Sequence, residues 1–128
     1  MIKAKSGSTE LSEILAEMNK QGNFPISVLT DQQGFPIASA ADPGQNPDTQ
    51  SAVVAMVQKT ASQVSTKLGM SQTDEISVYD TQGRRLVCRP FSANQHEMIL
   101  AVLVTDRNQS YRRLTTQAVN AICKVWKL

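Results

Sequence analysis

The stretch Thr49–Gly69, TQSAVVAMVQKTASQVSTKLG, decides how the rest of the chain is read. Val54, Val57, Ala61, Val64 and Leu68 recur at alternating three- and four-residue steps, which places them on one stripe of a helix of about five turns. Ala52, Val53 and Met56, continued by the uncharged Thr60 and Gln63, fall on a neighbouring face. Asp48 or Thr49 can cap the start, and Gly69 supplies a left-handed residue to close the end. Lys59 and Lys67 are the only charges in the stretch. A helix on the surface of a monomer needs one buried stripe, and this one offers nearly two. Each Val or Met left in water forgoes about 1.5–3 kcal/mol. One face is therefore expected on the protein's own sheet and the other on a partner; the alternative is a wide stripe on a well-covered core helix.

Working outward, the two flanking hairpins share a local recipe. Leu29-Thr30-Asp31-Gln32-Gln33-Gly34-Phe35-Pro36-Ile37 and Val78-Tyr79-Asp80-Thr81-Gln82-Gly83-Arg84-Arg85-Leu86 both read apolar-x-Asp-x-Gln-Gly-x-x-apolar. Asp folds onto the backbone ahead of it and Gly takes positive φ at the turn's end, so Asp31 and Asp80 are turn residues rather than an acidic catalytic pair. Strands are expected over 25–31, 34–40, 75–80 and 84–90. Met98–Val104, MILAVLV, is apolar at every position, the pattern of a central strand covered on both faces. Leu11, Ile14, Leu15 and Met18 mark a first helix over 9–21, stopped by Gly22. Asp106 with Gln109 resembles a capping box opening a third helix, whose stripe is Tyr111, Leu114, Ala118, Ala121, Ile122 and Val125. Arg112 and Arg113 should point outward. The loop over 41–48, with Pro43, Gly44 and Pro47, is a crossover and a candidate binding segment.

The order α-β-β-α-β-β-β-α makes an α+β domain of three layers. One helix lies on one face of a five-stranded sheet and two lie on the other. Residues 1–8 read as a flexible polar arm and 9–128 as a single domain.

Composition narrows the function. Hydrophobic residues make up 41% of the 128, enough for a folded core. Aromatics are too few to stack single-stranded nucleic acid. The net charge of +2 is uneven: residues 1–64 hold four basic and six acidic side chains, and residues 65–128 hold nine and five. Arg84, Arg85, Arg89, Arg107, Arg112 and Arg113 are scattered and form no nucleic-acid signature. No apolar run is long enough for a signal peptide or a membrane span, so a soluble, cytoplasmic protein is expected, with Cys88 and Cys123 as reduced, buried thiols.

No catalytic motif is present. His96-Glu97 begins like HExxH, but there is no second histidine. His96 sits in the polar connection 92–96 between strands. There is no GxSxG elbow, no phosphate-binding P-loop and no GxGxxG after a strand. Cys88 beside Arg89 could be an activated thiol; a buried strand cysteine is the simpler reading. No metal, cofactor or catalytic residue is assigned.

Taken together, the order of elements, the Val28-Leu29-Thr30-Asp31-x-x-Gly34 hairpin, the long low-charge helix and the Val78-Tyr79-Asp80-x-x-Gly83 hairpin resemble the roadblock / dynein light-chain family, from Leu11 to Val125. The resemblance implies a profilin-like fold, with a mostly antiparallel sheet in the order 2-1-5-4-3. It also implies a non-catalytic scaffold that binds or regulates a small Ras-like GTPase or attaches cargo to a motor. A profilin-like sensor of a small ligand is the alternative. Such proteins pair through the second helix and the edge strand after it, as a homodimer or with a related chain. Carried over, the pairing residues are Val53, Met56, Thr60 and Gln63, beside Ala52, and Ile76, Ser77, Val78 and Tyr79.

Overall fold

A computed structural model describes residues 7–126. The elements run α1 (Gly7–Gly22), β1 (Ile26–Asp31), β2 (Pro36–Ala41), α2 (Pro47–Leu68), β3 (Ile76–Tyr79), β4 (Arg85–Ala93), β5 (His96–Val104) and α3 (Arg112–Val125). The sheet order is β2-β1-β5-β4-β3, with neighbouring strands antiparallel. This is the α+β architecture expected from the sequence. Of the polar arm expected over 1–8, residues 1–6 lie outside the described residues, while Gly7 and Ser8 open α1.

β5 holds the middle of the sheet because its residues are apolar on both faces. Met98, Leu100, Val102 and Val104 are buried with Leu11, Leu15 and Met18 of α1 and Leu114, Ala118 and Ile122 of α3. Ile99 and Ala101 point the other way, to a cluster with Ile26, Val28, Cys88 and Val54 of α2. Gln50 of α2 donates to the Ala101 carbonyl at 3.2 Å, tying the helix to the central strand.

Both Asp-x-Gln-Gly turns form as read. Asp31 Oδ1 accepts from the Gln33 and Phe35 amides at 2.9 and 3.0 Å. Asp80 Oδ1 accepts from Gln82 and Arg84, both at 2.9 Å. Gly34 and Gly83 each have φ +87°. Gly34 is doubly constrained, because a Cβ there would lie 2.5 Å from Ala55 Cβ of α2. The first turn thus packs against the helix as well as reversing the chain.

Several local expectations are corrected. α2 is capped by Asn46, not Asp48 or Thr49: Asn46 Oδ1 accepts from the Asp48 and Thr49 amides at 3.1 and 3.2 Å. Pro47 makes this work, since its fixed φ suits the first helical position and its missing N–H costs nothing there. Gly69 closes α2 at φ +65° as expected, with the Met70 amide bonded to Ser65 O at 2.9 Å. α1 ends at Gly22, but the left-handed residue is Asn23, φ +55°. Gly22 is needed for space, since a Cβ would fall 2.2 Å from the Phe24 ring. Asp106 does not open α3. Its carboxylate turns back to the Asn108 amide at 2.9 Å, and the helix begins at Arg112 without a side-chain cap. The connection 92–96 is largely strand, because Asn94 and Gln95 alone make the turn at φ +49° and +70°. The signature of that tight two-residue hairpin is positive φ at both turn positions.

The α2–β3 surface as a candidate functional site

The stripe Val54, Val57, Ala61, Val64, Leu68 was expected to pack wholly on the sheet, and only its first part does. Val54 is buried and Val57 and Ala61 are half-buried, but Val64 is 46% and Leu68 70% exposed. The cause is length. A helix of 22 residues runs about 33 Å, while the strand beside its second half, β3, has four residues. The end of α2 therefore overhangs its own core, and Met70, just past the Gly69 cap, is exposed with it.

The second face is open to solvent. Ala52, Val53, Met56, Thr60 and Gln63 are all exposed, Met56 at 69%. Thr60 turns its hydroxyl to the Met56 carbonyl at 3.1 Å, so the helix itself satisfies it. Between α2 and β3 runs an open, mainly apolar groove of about 770 Å³ that includes Met56, Thr60, Val64, Met70, Ile76 and Val78. Val53 lies apart, over a shallower depression with Ile26, Leu86 and Leu103. Ala52 and Gln63 line neither.

β3 pairs only with β4, so its outer backbone edge is free of strand partners among the described residues. The pleat splits its four residues. Ile76 is half-buried against the α2-side cluster and Val78 is exposed beside it. Ser77 and Tyr79 face the α3 side, where Arg85 stacks between the Tyr79 and Tyr111 rings, 5.1 and 4.8 Å from their centroids. The sequence-derived residues thus separate into a groove set (Met56, Thr60, Ile76, Val78), an isolated Val53, and a pair on the opposite sheet face.

What anchors β3 was not legible in the sequence. Glu75, just before the strand, accepts from Tyr111 Oη at 2.6 Å, Arg112 at 2.7 Å and Ser77 at 3.1 Å. Arg112 also pairs with Asp74 at 2.9 Å, so it does not simply project into water. Partial burial pushes the Glu75 carboxyl up, but hydrogen bonds from Tyr111, Arg112 and Ser77 together hold it below the ordinary carboxylate value. The start of α3 therefore clamps the start of the edge strand.

The residues weighed for chemistry do not assemble. Burial pushes the Cys88 thiol up to about 12, which makes it a poor nucleophile. Cys123 is exposed rather than buried, a correction to the sequence reading, and its thiol faces the Ser92 carbonyl at 3.7 Å. His96 Nδ1 lies 3.0 Å from the Asn94 carbonyl, and its ring meets Trp126 edge-on at 5.7 Å. Among the described residues no group of three or more His, Cys, Asp or Glu is placed to hold a metal ion, and no helix is long and apolar enough to cross a membrane.

No family model matches the sequence, and no curated protein matches it. Solved structures do. MglB of Myxococcus xanthus superposes with a TM-score of 0.78 at 15% identity, over 100% of this chain and 98% of that one. MglB in a tetrameric arrangement gives 0.76 at 17%, over 98% and 93%. A Roadblock/LC7 domain from Streptomyces avermitilis gives 0.73 at 14%, over 91% and 94%. At these identities the likeness is one of fold: the chain shares the fold of these MglB and Roadblock/LC7 structures.

Proposed function

We propose that this protein is a homodimeric, non-catalytic roadblock-type module that scaffolds or regulates a small Ras-like GTPase. The observation that carries the reading is the half-covered α2 face of the sheet. One helix covers it, and that helix leaves Met56 and Val64 exposed beside β3, whose outer edge has no strand partner among the described residues, with Val53 and Leu68 exposed elsewhere along it. A second copy related by a twofold axis would lay its own α2 against this surface and its β3 along this edge. Such pairing removes both liabilities at once: apolar area leaves water, and unpaired strand groups find partners. The tetrameric arrangement of one MglB of the same fold supports self-association. The GTPase partner is supported by the resemblance and the shared fold. In this reading any effect on hydrolysis comes from positioning the partner's own groups.

Two measurements test this together. Light scattering at micromolar concentration is expected to give twice the 14.0 kDa chain mass; a monomer would overturn the dimer. Affinity capture from the native lysate is expected to recover a GTP-binding protein with wild type. Recovery of that protein equally by a dimer-disrupted variant would place its contact outside the paired form.

A further inference from the structure

On the sheet face away from α2, α1 and α3 lie side by side and leave a groove of about 530 Å³, within the roughly 300–1,000 Å³ of clefts that take ligands. Its floor is Ile14, Met18, Leu114, Ala118, Ala121 and Val125, with the two alanines keeping it open on the α3 side. One wall is acidic. Glu10, Glu13 and Glu17 stand at i, i+3 and i+7, along about 10 Å of α1. The opposite wall offers the neutral Gln117, and none of the described lining residues is basic.

We propose that this groove docks an amphipathic helix of a partner protein, with one apolar stripe on the floor and Lys or Arg at i, i+3 or i+4, and i+7 on the flank facing α1. The shape asks for a single convex rod, because a third helix laid between two neighbours completes a layer at ordinary interhelical distances. The charge selects its sign. Glu10 and Glu17, a heptad apart beside a low-dielectric floor, attract a cationic flank and repel an anionic lipid surface or nucleic acid. A second copy of this chain fits poorly. Two concave grooves face to face would enclose a void. The outward side of α3 (Arg113, Thr116, Gln117, Asn120, Lys124) is polar. The apolar ridge of α2 could enter only head to tail, which leaves an open chain of subunits. The groove lies on the face opposite α2, so the inference does not rest on the dimer or the GTPase reading.

The test uses the full chain and two fluorescein-labelled synthetic helices with the same leucine stripe, one flanked by lysines and one by glutamates. By anisotropy the lysine probe is expected to bind at least tenfold more tightly than the glutamate probe. Ala121→Arg should weaken it at least tenfold, and the combined Glu10→Gln, Glu13→Gln, Glu17→Gln variant should weaken it and remove most of its salt dependence. Circular dichroism checks that both variants fold, and the triple variant, which exchanges carboxylates for amides of the same shape, serves if Ala121→Arg does not. Equal binding of the two probes, no binding of either, or full affinity in the triple variant overturns the proposal. So does wild-type chain that grows with concentration into assemblies abolished by Ala121→Arg, which would make a second copy the occupant. Binding only after removal of residues 1–6 would make the chain's own first residues the occupant and equally overturn it.

Discussion

The two faces of one sheet are covered unequally. Five strands about 4.8 Å apart span roughly 19 Å between the outer strands, and helices pack 8–10 Å apart, so a face needs two helices. The β5 residues that point to α1 and α3 are buried, from Met98 through Val104. On the α2 face Ile99 and Ala101 are buried, yet Leu86, Leu103 and Ile76 are only partly covered. The difference is one missing helix, and it separates residues that hold the subunit together from residues left for something else.

The sharpest way to break this comparison uses two leucines three positions apart on β5. Leu100 is fully buried on the α1/α3 face, and Leu103 is half-buried on the other. Leu100→Ala is expected to cost about 2–5 kcal/mol of folding stability by urea denaturation. Leu103→Ala should cost roughly half that or less in the dilute monomer, with the remainder returning as protein concentration rises. Equal losses independent of concentration would mean that both faces are complete within one subunit.

Next in size is Met56→Lys. Met56 is 69% exposed and lines the α2–β3 groove. A lysine there should weaken the dimer by about 100-fold, near 2.7 kcal/mol, measured by sedimentation equilibrium. Monomer stability should move by no more than ~0.5 kcal/mol, as for other surface substitutions. An unchanged dimer would move the contact off α2.

These residues divide cleanly between what the sequence carries and what it hides. MILAVLV announces a doubly covered strand because both side-chain parities are apolar, and the two Asp-x-Gln-Gly turns announce hairpins because each residue has a local job. The surplus of α2 was readable for the same reason: Val53 and Met56 fall off the main stripe. Val64, Leu68 and Met70 were not, because periodicity reports the direction of a side chain and not whether anything lies beneath it. Glu75, Tyr111 and Arg112 were invisible together, since their contact spans more than 35 positions and no local pattern links them. Asp106 misled, because Asp followed by Gln three positions later fits a helix cap and a plain turn alike.

The Asn46 cap is a smaller and more local test. Asn46→Ala removes the acceptor for the Asp48 and Thr49 amides at the start of α2 and is expected to cost about 1 kcal/mol. Thr49→Ala should be nearly neutral. Because the cap sits at the covered end of α2, the loss should appear in monomer stability by thermal melting and leave the dimer constant of the folded chains almost unchanged. A large change in association would show that the overhanging end of the helix depends on its distant start.

The smallest expected effect is a pH dependence that separates the edge strand from the core. The folded-state Glu75 carboxyl lies below its ordinary value of 4.5, since the bonds from Tyr111, Arg112 and Ser77 outweigh its partial burial. A depressed carboxylate stabilises the fold above the unfolded value, and that contribution is lost as pH falls from about 4.5 through the lower folded value. Glu75 precedes β3 directly, so protonation releases the Tyr111 and Arg112 clamp from the edge strand, while the central strand β5 is held by apolar contacts with no carboxylate among its buried residues. Protection of the Ser77–Tyr79 amides against hydrogen exchange, taken relative to the intrinsic rate at each pH, should therefore fall below pH 4.5 before protection in β5 does. Glu75→Gln should exchange faster at pH 7 and lose most of that acid dependence. Uniform loss of protection across β3 and β5 in both proteins would mean that acid acts on the whole sheet and not on the clamp.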